Sequence, residues 1–448
     1  MIVLQDRGLG GHNNAVVNPE KKCRIFRRSH MNVSLSCVLR LLLRSMLMAC
    51  LVDVACRVAP AAEIAPEAYR IYAGSTHAHT QFTWSHGEQW AGAAADESKQ
   101  PMRHTAEGVQ LPPANAKQKE NWRQLQGPPA EHFARAKATG TYDFYVVSDH
   151  SQDEPLNPPA VDNPAWAATL QQAEVATDAS FVALRGYEHS ENDGPGGKGH
   201  LNVINSAEYV NALAPGMTLP KFYQWLQHVR SAGDGPVVAT FNHPAVHQYN
   251  DWADRDEGST GIITMLEVIN SNKAKHYAGF VAALDHGWKV SPVCGNDNHG
   301  FTGIPRHAAR TFVLATSCTK AAILDGMKHR RTYAALDRNI ECRYSVNGSI
   351  MGSTLNRPDT LEFKISVRDP DTNDANDKIT KLDLVTEGGE VAETFEPAPN
   401  HAVTWTPTIR NSTKKYYFVR VWSANGGDTP EAKSDQPVAW LAPIWTGR

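Results

Sequence analysis

His77 and His79 stand two residues apart in Tyr72–Thr80, which reads YAGSTHAHT and follows directly on a short strand-like run. In an extended segment, side chains at i and i+2 point the same way. Two neutral imidazoles held side by side can share one metal ion of the zinc, iron or manganese kind. Four further stretches repeat the design of an apolar run ending in His, Asp or Glu. Tyr142–Ser148 ends in Asp149 and His150, and Phe181–Gly186 in Tyr187, Glu188 and His189. Pro236–Phe241 ends in Asn242 and His243, and Lys289–Cys294 in Gly295, Asn296, Asp297, Asn298 and His299. Imidazoles and carboxylates gathered at one end of several strands suit a polynuclear metal site that activates water.

The elements that must position these groups alternate strand with helix. Ala130–Thr139, Ala165–Ala176, Leu219–Ala232, a segment around Phe280–Leu284 closed near Gly287, and Thr319–His329 read as helices. Met265–Ile269 and Thr311–Leu314 read as further strands. This spacing predicts a barrel-like parallel α/β architecture, whose sites lie at the carboxyl ends of the strands. A polar excursion, Gln81–Pro129, carries Trp84, His86, Trp90 and His104 and is expected to lie over the site. From Asn339 the helical signals stop. Short β-branched runs punctuated by Asn347-Gly348, Asp369-Pro370 and Gly388-Gly389 predict an antiparallel, broadly Ig-like β-sandwich over 339–448.

The totals bound the function. A chain of 448 residues has room for two or three domains, and its net charge of -3 offers no polybasic field for nucleic acid. Four of the seven Cys fall in the first 60 residues, and Cys294, Cys318 and Cys342 are too scattered for a disulfide framework. Residues 1–64 combine a polar, basic start with an interrupted apolar run, in which Arg40, Arg44 and Asp53 argue against a membrane span. This segment reads as a secretory signal ending near Ala59–Ala61 or a loose lipoprotein signal at Cys50, placing the protein in the periplasm or outside the cell; a cytoplasmic chain with a different start is the alternative. GxSxG, HExxH and Walker patterns are absent, which argues against a serine hydrolase, a zincin and an NTPase. The GPGGKG loop, Gly194–Gly199, leads into a strand rather than a helix and reads as the loop that delivers His200. Cys294 reads as a buried strand residue rather than a nucleophile. His189 and His247 are weaker candidates for substrate contact, and Lys198 and Arg306 for holding an anion.

The order HxH, SDH, Glu, Gly-rich loop with His, NHP and GNDNH resembles the PHP (polymerase and histidinol phosphatase) superfamily over Ile71–Asp337. FNHP at Phe241–Pro244, LEVIN at Leu266–Asn270 and GWKVSPVCGNDNHG at Gly287–Gly300 are similar to its carbaryl-hydrolase-type (CehA/McbA) branch. The resemblance implies a distorted (β/α)7 barrel over 65–338, followed by the β-sandwich, and two or three divalent ions (zinc, manganese or iron). It places His77, His79 and Asp297 on a first metal, Glu188 as a bridge to a second, His200 and His243 on that second, and His150 and His299 on a third. Where such chains carry an SDG aspartate, this one reads Ser85-His86-Gly87, so either His86 replaces it or the third site is weakened. The reaction is assigned to Glu188 and His150, with Asp149 orienting a neighbour.

Such ions lower the pKa of a bound water from about 15.7 towards ~7 and supply hydroxide. Three ions bring a charge of about +6 against about -3 from two carboxylates and hydroxide, which favours a phosphate ester. With fewer ions, a carbamate or carboxylester hydrolase is the alternative, and a non-catalytic metal-bearing binding protein the third. In each case the expected partner is a small molecule.

Overall fold

Helix boundaries follow local chemistry. Helix α1 (Pro129–Ala138) starts on prolines that need no amide partner and stops at Gly140, whose φ of +68° an L side chain rarely adopts. Asn163 caps α2 (Pro164–Ala176) by accepting from the Ala165 and Trp166 amides. Thr218 caps α3 (Leu219–Leu226) and Thr319 caps α6 (Lys320–Lys328) in the same way. Helices α4 (Glu257–Ile262) and α5 (Tyr277–Asp285) lie between these two in the chain. The computed structural model describes residues 66–83, 103–105, 108–110, 126–190 and 198–448. Residues 1–64, expected to hold an export signal, and His86 lie outside the described residues. No described helix is long and apolar enough to cross a membrane.

The site is carried by β1 (Arg70–Ser75), β2 (Phe144–His150), β3 (Val182–Ser190), β4 (His200–Ile204), β5 (Val238–Asn242), β6 (Ile263–Asn270) and β7 (Ser291–Gly295). These are followed by β8 (Arg310–Ala315) and β9 (Thr332–Ala335). The sheet order is β9-β8-β1-β2-β3-β4-β5-β6-β7. Most of these strands are buried along their whole length, as expected of strands covered on both faces.

Two expectations need correction. The sheet is mixed rather than parallel: β4 runs antiparallel to β3 and β5, and β8 antiparallel to β1. Strand β4 follows β3 across the short Gly-rich stretch, and so short a link can only reverse the chain. At the other edge, main chain joins β7 back to β1: Ala78 and Asn298 pair in parallel just beyond the two strands, and Thr76 N donates to the Cys294 carbonyl (3.4 Å). Side chains add to this seam: Thr311 Oγ1 accepts from the Cys294 amide (2.7 Å) and donates to the Cys294 carbonyl (2.8 Å), while Ser75 Oγ accepts from the Asn296 amide (3.0 Å). The helix predicted to reach Ala232 ends at Leu226, because Arg230 and Ala232 hydrogen-bond the chain beside β4 at Ala207 and Asn205.

Beyond residue 338 the chain builds two antiparallel sheets. One contains Glu341–Val346, Ser349–Ile350, Thr360–Arg368, Ala402–Trp405 and Thr408–Arg410. Burial alternates strictly along Thr360–Arg368, the mark of a one-sided sheet. The other joins Ile379–Val385, Val391–Phe395, Tyr416–Ser423 and Ala439–Leu441, and it continues the main sheet where Tyr333–Ala335 pair with Ala439–Leu441. Phe363 meets Tyr417 edge-on across the two sheets (centroids 5.8 Å apart). The ladder thus runs without a break from the site-bearing strands into the C-terminal region.

At this junction Asp337 is buried, with Oδ1 accepting from the Asn339 (2.9 Å) and Ile340 (2.8 Å) amides. Burial, reinforced by Asp428 and Asp369, pushes its pKa up to about 8. The folded state therefore holds a proton that the unfolded chain has released above its ordinary value of 3.8, and stability falls as pH rises from there through about 8. Asp337→Asn keeps both accepted hydrogen bonds without the charge. Thermal melts should show the variant raising the melting temperature at about pH 8 by a few degrees, with little change near pH 5. An equal shift at both pH values would show that Asp337 is not the titrating group.

Candidate metal centre

The chain beyond β1 is held straight by its neighbour. His79 N donates to the Asn298 carbonyl and Asp297 N to the His77 carbonyl (both 3.0 Å), so HxH and the Asp297–His299 turn are delivered together. As the i, i+2 spacing predicts, the rings of His77 and His79 meet, with centroids 4.8 Å apart. Strand β2 ends in His150, β3 carries Glu188, β4 begins with His200, and His243 follows β5. His243 and Asp297 both take left-handed backbone conformations (φ 31° and 48°), which are costly for non-glycine residues and concentrate at functional sites.

These residues converge on the Glu188 carboxylate. Its Oε1 lies 3.4 Å from His77 Nε2, 3.2 Å from His200 Nδ1 and 3.5 Å from His243 Nε2; its Oε2 lies 3.5 Å from His79 Nε2 and 2.9 Å from His150 Nε2. Asn242 Nδ2 donates to Oε1 (2.8 Å) and Ser190 Oγ to Oε2 (3.1 Å). Around this carboxylate lie three groups whose ligand atoms fall within 4.8 Å of one another: His77, His79 and Asp297; Glu188, His200 and His243; and His79, His150 and His299, which shares His79 with the first. His77, His79, His150, Glu188 and His200 are buried, while His243, Asp297 and His299 are half-buried, so the centre opens on their side.

The hydrogen bonds assign the tautomers. His77 Nδ1 faces Glu267 Oε1 (2.9 Å) and is its donor. His79 Nδ1 faces Thr83 Oγ1 (3.1 Å), whose own proton goes to Asp149 Oδ1 (2.9 Å), so His79 donates there too. In the neutral rings both Nε2 atoms then carry lone pairs, yet they face each other at 3.0 Å with Asp297 Oδ1 3.0 Å from His79 Nε2. Three acceptors so placed need a cation among them, and nitrogen and oxygen donors of this kind fit a divalent metal. In the metal-free chain a proton takes that part. Burial pushes the His77 pKa down, but Asp297, Glu188 and Glu267 hold it well above its ordinary value. Burial pushes His79 well down, with His299 adding to the effect, so its lone pair stays available. Glu188 and Asp297 are held well below the usual carboxylate range by the imidazoles, against the effect of burial.

Other predicted residues fall elsewhere. Asp149 points to the opposite face of β2 from His150 and accepts from the Thr80 amide (2.7 Å), Thr80 Oγ1 (2.8 Å) and Thr83 Oγ1. Its link to the centre runs through Thr83, whose Oγ1 also faces His79 Nδ1. Burial raises its pKa to about 6, with these donors pulling it back. His189 stacks on Phe222 (3.8 Å) away from the centre, and exposed His247 faces Asp251 (3.1 Å). Lys198 Nζ donates to the Met217 carbonyl (3.3 Å), and Arg306 is exposed at the end of a 3-10 turn. Cys294 is buried and burial pushes its thiol pKa up, which suits a strand residue rather than a nucleophile.

Glu267 escaped the sequence reading. It is fully buried on β6; besides His77, it accepts from the His243 amide (2.9 Å) and Asn270 Nδ2 (2.9 Å) on Oε2. The signal was a lone carboxylate inside the apolar run Met265–Ile269, since a buried charge requires partners.

No family model matches the chain, and no curated protein matches it. Among solved structures, it is similar to a two-domain protein from Bacteroides vulgatus described as containing a predicted PHP-like metal-dependent phosphoesterase. The identity is 15% over 85% of this chain and 97% of that one, with a TM-score of 0.39. It is also similar to an engineered protein at 12% identity over 83% of this chain and 93% of the other, with a TM-score of 0.18. Likenesses this loose carry no functional argument.

Proposed function

We propose that this chain is a metal-dependent hydrolase of the PHP kind, acting on small phosphate esters. The observation that carries the reading is the convergence of His77 Nε2, His79 Nε2 and Asp297 Oδ1 around a place only a cation can fill, with both Glu188 oxygens adjoining. The motif order from HxH to GNDNH supports the same reading. Divalent ions held there supply Lewis acidity, acidified water and positive charge for an anionic ester. The chain's own residues do the rest. Glu188 holds two groups of imidazoles against one carboxylate, Thr83 and Glu267 keep the lone pairs of His79 and His77 turned inward, and the half-buried His243, Asp297 and His299 face the approach of substrate.

Elemental analysis of protein purified without added metal should find two or three divalent equivalents per chain. The same protein should hydrolyse aryl phosphates faster than aryl carbamates or carboxylesters; the reverse order would move the reading to carbamate or ester hydrolysis. Asp297→Ala should lose bound metal and turnover together. Fewer than one equivalent in the native chain, not restored by zinc, manganese or iron, would leave a binding protein as the better account.

A further inference from the structure

We infer that Glu267 is a positioning residue that locks ligands of two neighbouring metal subsites at once, so that the His77/His79/Asp297 group and the Glu188/His200/His243 group fill together. The inference rests on the metal-centre reading above. Glu267 Oε1 takes the His77 Nδ1 proton, which leaves His77 Nε2 a lone pair for the first group. Its Oε2 takes the His243 amide, which pins the left-handed backbone that aims His243 at the second group. Asn270 Nδ2 donates to the same Oε2 and also lies 3.2 Å from Asp297 Oδ2, tying in a second ligand of the first group.

The strand is shaped for this. Residues three apart on a regular strand point to opposite faces, yet Glu267 and Asn270 meet. The pairing of β6 with β7 slips between Glu267 and Ile269, and a bulge of this kind re-aims side chains beside a site. Glutamine cannot replace this carboxylate: three donors face its two oxygens, and an amide would turn a fourth donor towards one of them.

The test is Co2+ titration of the metal-free full-length chain, following uptake and the visible ligand-field spectrum. The native protein should take up its first two equivalents in one cooperative step. Glu267→Gln should weaken both by about 10- to 100-fold, together, and change the spectrum of each. A variant in which one equivalent weakens and the other binds as in the native protein would reduce Glu267 to an orienter of one ligand, and unchanged titration would remove it altogether. A native chain that binds no Co2+ would instead overturn the metal-centre reading itself. If thermal melting shows Glu267→Gln unfolded, Asn270→Ala decides. It removes one of the three donors that hold the Glu267 carboxylate between His77 and the His243 amide and should split the two equivalents into separate steps, whereas uptake still in one step would overturn the coupling.

Discussion

Glu188→Gln is expected to leave at most one divalent equivalent bound and to lower hydrolysis by more than about 100-fold, beyond the usual effect of losing an outer partner. Glutamine fills the same volume, so packing is not what changes. Glu188 is 1% exposed and has the nitrogens of five imidazoles within 3.5 Å of its two oxygens. An amide brings no charge, only one acceptor oxygen, and an NH2 that must face either lone pairs or bound cations. The Glu188/His200/His243 group therefore loses its anion and the His77/His79/Asp297 group the carboxylate that adjoins it, while His79, His150 and His299 keep their nitrogens. Elemental analysis with an aryl phosphate assay reads the result. Native stoichiometry with native turnover would show that Glu188 does not bridge.

Gly295→Ala is expected to damage the same centre from behind. Gly295 ends β7, and a Cβ there would collide with Glu267 Oε1 and lie 2.8 Å from the His77 Cβ. Neither neighbour can yield: Glu267 is held by three donors, and the His77 backbone is tied to Asp297. Overpacking of this kind costs about 1–3 kcal/mol. Here it also pushes His77 off its carboxylate, so the variant should melt lower and lose metal from the His77/His79/Asp297 group. Gly261 is the control. Nothing lies within 4 Å of a Cβ added there, and it sits in α4, so Gly261→Ala should be neutral or mildly stabilising. If both alanine variants melt and bind metal like the native chain, the close contact of β7 with Glu267 is wrong.

Much of the candidate site was legible from residues alone. His77, His79, His150, Glu188, His243, Asp297 and His299 stand near or just beyond strand ends, and apolar runs stopped by ligand-type residues mark such ends without any knowledge of partners; His200, which opens β4, was implied only by the family resemblance. The i, i+2 spacing sufficed to place His77 and His79 on one face. Helix starts at Asn163, Thr218 and Thr319 were legible for the same reason: capping is settled within one turn of chain.

What escaped depends on residues distant in sequence. Alternation of polar and apolar side chains carries no strand direction, so the reversal of β8 was invisible until its partners were known, while that of β4 follows only from the short link before it. The end of α3 at Leu226 was decided by hydrogen bonds to Asn205 and Ala207, which outweigh the local helical pattern. Asp149 was expected to orient a neighbour, but only the fold shows which: strand pleating turns it to Thr80 and Thr83. Glu267 looked like an interruption in an apolar strand, and only the fold sets it between His77 and the His243 amide. The sequence by itself thus determined which residue types end each strand, because apolar runs and caps are local. The tertiary structure alone decided the direction of β8, the tautomers and the carboxylates that hold the ligands, because these depend on groups brought together from far apart, such as His79 and Asp297 across 218 residues.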